Sequence, residues 1–62
     1  MTPTWRNPQG DIITTEGSVY TIIRNGKPPY RVDISKWTHN AERWIRNDIR
    51  DGYYPDFKEV TA

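Results

Sequence analysis

Only one stretch of this chain, Tyr30 to Asp51, runs for several helical turns without a glycine or a proline. Elsewhere the two breakers recur at Pro3, Pro8, Gly10, Gly17, Gly26, Pro28, Pro29, Gly52 and Pro55. Proline lacks the backbone donor and glycine the restricted φ that a long regular element needs, so the rest of the chain is limited to short extended pieces joined by turns. Even inside the open window the first residues alternate. Tyr30, Val32 and Ile34 face one way and Arg31, Asp33 and Ser35 the other, the period of a half-buried strand. The spacing then changes and predicts one helix, starting at Ser35 or Thr38 and ending at Asp51. Either hydroxyl suits the N-cap, and Gly52 suits the left-handed position after the last turn.

Upstream, Ile12-Ile13-Thr14-Thr15 and Ser18 to Arg24 are β-prone runs separated by Glu16-Gly17. Asn25-Gly26 predicts a hairpin with a type I′ turn, since both residues tolerate positive φ. Residues 1–10, with two prolines and a glycine, read as an irregular arm whose Trp5 folds back on the core. Phe57 to Val60 is a candidate short fourth strand. The expected fold is α+β, a small three-stranded antiparallel sheet packed on one helix in the C-terminal half, occupying residues 11–62 as a single domain.

Composition narrows the chemistry. The 62 residues include no cysteine and one histidine, His39, which leaves no disulfide, thiolate metal site or multi-histidine site to stabilise the fold. No apolar run approaches the ~20 residues of a membrane span, and residues 1–10 do not read as a signal peptide, so the expected location is cytoplasmic. No cofactor motif and no nucleophile–histidine–carboxylate set is legible, so the chain reads as non-enzymatic. With no leucine and one methionine, the eight aromatics must supply most of the core. Of the adjacent pair Tyr53-Tyr54, one ring is expected outside.

Charge is unevenly placed. Residues 1–23 carry a net −1, residues 24–50 a net +4 and residues 51–62 a net −2. On a helical wheel with about 100° per residue, Ala41, Trp44, Ile45 and Ile49 share the buried side, joined by Trp37 if the helix starts early. The opposite side carries His39, Asn40, Arg43, Arg46, Asn47 and Arg50. Arginine matches guanine edges and phosphates, and asparagine matches adenine, so this stripe is a candidate reader of duplex DNA. The plainer reading is a solvated face in which Glu42 and Arg46 form an i,i+4 pair. Asp48 falls on the apolar side and calls for a partner, for which Arg31, Lys36 or a tyrosine hydroxyl is in reach of the expected packing.

Residues 42–55, ERWIRNDIRDGYYP, resemble the helix end and wing of excisionase and MerR-type DNA-binding domains through Ile49, Arg50, Gly52 and Pro55. Those domains carry a first helix upstream, where this chain has the alternating run Tyr30 to Ile34. The order strand, strand, strand, helix is similar to that of integrase arm-binding and plant AP2-type domains, in which the sheet enters the major groove. That likeness implies Arg24, Lys27 and Arg31 as contacts and the helix as backing.

The expectation is a small DNA-binding protein of regulatory or accessory role, with His39, Arg43, Arg46, Asn47 and Arg50 on the helix and Lys27 and Arg31 beside the sheet as contacts. The alternative is an inhibitor or adaptor that blocks a larger protein through an Arg/Trp/Tyr surface or an edge strand. A homodimer through the edge strand or the aromatic end is compatible with both.

Overall fold

The computed structural model describes residues 2–60. It is α+β, with one antiparallel sheet of five strands and a single helix. The strands are β1 (Thr4–Arg6), β2 (Ile12–Glu16), β3 (Val19–Ile23), β4 (Tyr30–Asp33) and β5 (Lys58–Val60), and the helix α1 (Ala41–Arg50) lies between β4 and β5 in the chain. The first four strands form a meander. The helix then crosses one face and returns the chain so that β5 pairs with β1, giving the order β4-β3-β2-β1-β5.

The sheet has more strands than the three or four expected. The added one is β1, inside the segment read as an irregular arm. Asn7-Pro8-Gln9-Gly10 forms a turn in which the Gly10 N–H donates to the Asn7 carbonyl at 3.1 Å, and Gly10 takes a φ of 87°. Proline presets the second turn position and glycine supplies the left-handed residue of a hairpin bulge, so β1 folds back on β2. Trp5 is thereby placed opposite Ile13 and is 1% exposed.

The β3–β4 turn is centred on Asn25-Gly26 as expected, with Lys27 N–H donating to the Arg24 carbonyl at 3.0 Å. Its type differs from I′. Gly26 has φ 77° while Asn25 is not left-handed, the pattern of a type II turn. Asn25 is held otherwise: its N–H donates to Asp11 at 2.9 Å and its side-chain amide to the Gln9 carbonyl at 3.2 Å.

The helix begins later than the expected Ser35 or Thr38. Its N-cap is Asn40, whose side-chain oxygen accepts from the Arg43 N–H at 3.0 Å. Thr38 accepts instead from the Asn40 N–H. The reason for the late start lies in the preceding segment, where Ile34 is buried and tied to the Ser18 carbonyl, and Ala41 N–H donates to the Gly17 carbonyl at 2.8 Å. Residues 35–37 make one isolated turn, in which the Trp37 and Thr38 N–H groups both donate to the Ile34 carbonyl, and the chain then crosses the end of the β2–β3 hairpin before the helix begins. Trp37 therefore lies outside the helix and is 68% exposed. At the other end Tyr53 N–H donates to the Asp48 carbonyl and Gly52 N–H to that of Ile49, with Gly52 at φ 90°, a Schellman stop.

The core is one cluster, Trp5, Ile13, Ile22, Ile45 and Phe57, with Tyr20, Trp44, Ile49 and Tyr54 packed against it. Trp5 and Phe57 supply the volume that the absent leucines would. Tyr54 packs edge-on to Phe57, while Tyr53 is 73% exposed.

Candidate nucleic-acid interface

The expected contact residues do not form one surface. Strand alternation and register put Trp5, Ile13, Thr15, Tyr20, Ile22, Tyr30 and Val32 on the helix-bearing face. Arg31, the partner of Thr21, faces the other side, away from the helix. Lys27 sits in the β3–β4 turn. His39 precedes the helix and is exposed, as are Arg43, Arg46 and Arg50, while Asn47 is half-buried.

The helical stripe is laced with the protein's own acids. The Arg46 guanidinium is bracketed by Glu59 at 3.1 Å and Glu42 at 3.4 Å, and Arg50 meets Asp51 at 3.6 Å. Arg43 has no ion-pair partner among the described residues. Surface pairs of this kind are weak individually, but the acids also repel phosphate, and they turn the stripe into a face of mixed sign. Asp48 was expected to find a cation at the helix–sheet rim. No ion pair to it forms among the described residues, and burial, reinforced by the charge of Asp51, raises its carboxyl above the ordinary range.

The uncovered face of the sheet is different. Register aligns its side chains in three rows across the strands. The first is Lys58, Arg6, Ile12 and Ile23; the second is Val60, Thr4, Thr14, Thr21 and Arg31; the third is Glu16, Val19 and Asp33. Arg6 and Lys58 are direct cross-strand partners on this face. Both are exposed, and no described carboxylate lies within ion-pair distance of either. Like charges placed opposite one another are unfavourable unless an anion sits between them. Three threonines stand side by side in the second row, and a shallow depression of about 440 Å³ opens over Thr14, Thr21 and Val19 between Glu16 and Arg31.

The face is therefore polarised. Arg6 and Lys58 lie at the end shared with the β3–β4 turn and its Lys27, while Glu16 and Asp33 lie at the end beside the Gly17 turn. Asp11, the acid at the basic end, is already engaged. It accepts from the Asn25 N–H and from the Asn7 amide and meets Arg24 at 3.6 Å, and its side chain is 14% exposed. The Asn25 and Asn7 hydrogen bonds, with Arg24 behind them, hold its carboxyl below the usual range.

Arg6 and Lys58 escaped the sequence reading for separate reasons. Arg6 lies in a segment whose two prolines and glycine read as irregular, and Lys58 in one whose net charge is negative. The signal that would have joined them is the Asn-Pro-x-Gly turn, which fixes β1 and so the face of Arg6. Compared with protein-family models, curated proteins and solved structures, the chain matches none.

Proposed function

We propose that this chain is a small non-enzymatic DNA-binding protein whose contact surface is the open face of its sheet, with the helix as backing. The observation that carries the reading is the Arg6–Lys58 pair, two like charges opposed on the open face with no ion-pair partner among the described residues. Dimensions support it. Strands lie about 4.8 Å apart, so the threonine row on β1, β2 and β3 is ~10 Å wide, against ~12 Å for the major groove of duplex DNA. Threonine hydroxyls and methyls suit base edges there, while Arg6 and Lys58 on one flank and Arg31 on the other reach the two phosphate strands.

Titration of duplex DNA against the intrinsic fluorescence of Trp5, Trp37 and Trp44 tests this. Binding is expected to weaken steeply with salt. Each lost phosphate contact lowers the slope of log affinity against log salt by about 0.9, so Arg6→Gln with Lys58→Gln lowers it by about 2. Arg43→Gln and Arg50→Gln leave it nearly unchanged. Binding no tighter than millimolar at low salt, or a larger loss from the helix variants than from the sheet variants, overturns the reading.

A second reading, an adaptor or inhibitor of a larger protein, is favoured by the exposure of Trp37 and Tyr53 and by the mixed charge of the helix. A partner retained from a nuclease-treated lysate, and lost on Trp37→Ala, would support it over DNA.

A further inference from the structure

The strand β4 forms one edge of the sheet, and its outer side is uncovered. Tyr30 is 67% exposed, and Arg31 and Asp33 are exposed as well. Natural edges are commonly blunted by a bulge, a proline or a lone lysine. Here Pro28 and Pro29 blunt only the approach to the edge, and the strand itself carries one cation and one anion, two residues apart, on the same face. That spacing is self-complementary for a strand paired antiparallel with its own copy.

Only certain registers keep like faces together when two identical edges pair about a two-fold axis, namely those centred on a residue. Centring on Arg31 sets arginine against arginine. Centring on Asp33 sets aspartate against aspartate. Centring on Val32 sets each Arg31 opposite the partner's Asp33 on the open face, and Val32 opposite the partner's Val32 on the helix face. The other edge lacks this property. In β5, centring on Lys58 or on Glu59 opposes like charges, and Glu59 already holds Arg46.

We propose that β4 is the seam of a homodimer, formed by antiparallel β4–β4 pairing in the Val32-centred register, which joins the two sheets into one of ten strands. Two Arg31–Asp33 pairs close one face of the seam, and the two Val32 side chains, flanked by the Tyr30 rings, close the other. Because Arg31 serves the seam in the dimer and the groove flank in the DNA reading, the two engagements compete. The dimer itself does not rest on that reading, and it is measured without nucleic acid.

Sedimentation of the full chain over a wide concentration range tests the proposal, with circular dichroism confirming that each variant is folded. Wild type is expected to show a concentration-dependent monomer–dimer equilibrium. Arg31→Asp alone and Asp33→Arg alone each oppose like charges in the seam and weaken it about tenfold or more. An equimolar mixture of the two variants restores both pairs and recovers dimer. The Asp33 carboxylate already accepts from the Ser35 N–H at 2.9 Å, and Val32→Cys supplies a second measurement that leaves both that bond and the charges untouched. The chain has no other cysteine, so mild oxidation is expected to cross-link that variant with itself, and Arg31→Cys to cross-link far less. A monomer at every concentration, a mixture no tighter than its components, or equal cross-linking at positions 31 and 32 overturns the proposal.

Discussion

The Arg46 guanidinium donates to Glu59 at 3.1 Å and so ties the middle of the helix to the last strand. The strand β5 is three residues long, all three residues are exposed, and among the described residues it pairs only with β1. The pair is half-exposed, and an exposed ion pair contributes about 0–1 kcal/mol, so Arg46→Gln is expected to cost no more than that in global stability. Its effect is expected to be local. Amide exchange across Lys58–Val60 should accelerate, while exchange in β2 and β3 stays as it was. Uniform acceleration would mean that Arg46 serves the whole fold.

Trp5 is the largest side chain that is fully buried, and it stands on β1, one strand in from the β5 edge, opposite Ile13 of the central strand. Truncating a buried tryptophan costs about 3–5 kcal/mol. At ~0.05–0.15 kcal/mol per residue the whole domain has only about 3–9 kcal/mol to lose. Trp5→Ala is therefore expected to remove about a third or more of the stability and to lower the melting temperature steeply by circular dichroism, and Trp37→Ala, on an exposed ring, to change it little.

The contrast between these tryptophans measures how far the sequence could be read. The period-2 run at Tyr30–Ile34, the Asn25-Gly26 turn and the Gly52 stop each rest on chemistry within a few residues, and each appears in the fold. The burial of Trp5 was legible from the scarcity of large aliphatic residues. Its strand was not, because β1 is three residues long and owes its existence to pairing with β2 and β5. The helix start misled for a similar reason. Ser35 and Thr38 have good capping chemistry, but the tethers of Ile34 to Ser18 and of Ala41 to Gly17 limit residues 35–37 to one isolated turn and delay the helix until Asn40. The charges of the helix were placed correctly on its exposed side. What one wheel could not show was that β5 would bring Glu59 to Arg46, or that register would set Arg6 against Lys58.

Asp11 and Asp48 are expected to act oppositely on stability as pH changes. The carboxyl of Asp11 is lowered, first by the Asn25 N–H and then by Asn7, so its contribution is present above the unfolded value of 3.8 and is lost as pH falls through the lower folded one. The carboxyl of Asp48 is raised by burial and by Asp51, so ionising it disfavours the fold, and that penalty appears as pH rises through 3.8 and above. Asp48→Asn should accordingly raise the melting temperature at neutral pH and have little effect in strong acid. Asp11→Ala should lower it at neutral pH, because it releases the β1–β2 loop from the β3–β4 turn. Thermal melts at neutral and acid pH check both signs, and a loss of stability in Asp48→Asn would show that its carboxylate has a partner in solution.

Tyr54 gives the corresponding signature at the alkaline end. Burial against Phe57 and Tyr20, followed by the neighbouring Tyr20 hydroxyl, pushes its phenol from 10.0 up to about 12. A folded-state value raised in this way means that the contribution is whole below pH 10 and drains away as pH climbs towards 12. The fold is thus expected to weaken across that interval, with a late phenolate absorbance step at about 12 if the chain is still folded there. Tyr54→Phe keeps the ring against the core and removes the ionisation. It should abolish the late step and flatten the alkaline loss of stability, whereas Tyr53→Phe, on a ring in solvent, should change neither. Equal effects of the two substitutions would place Tyr54 in water and take away one wall of the core.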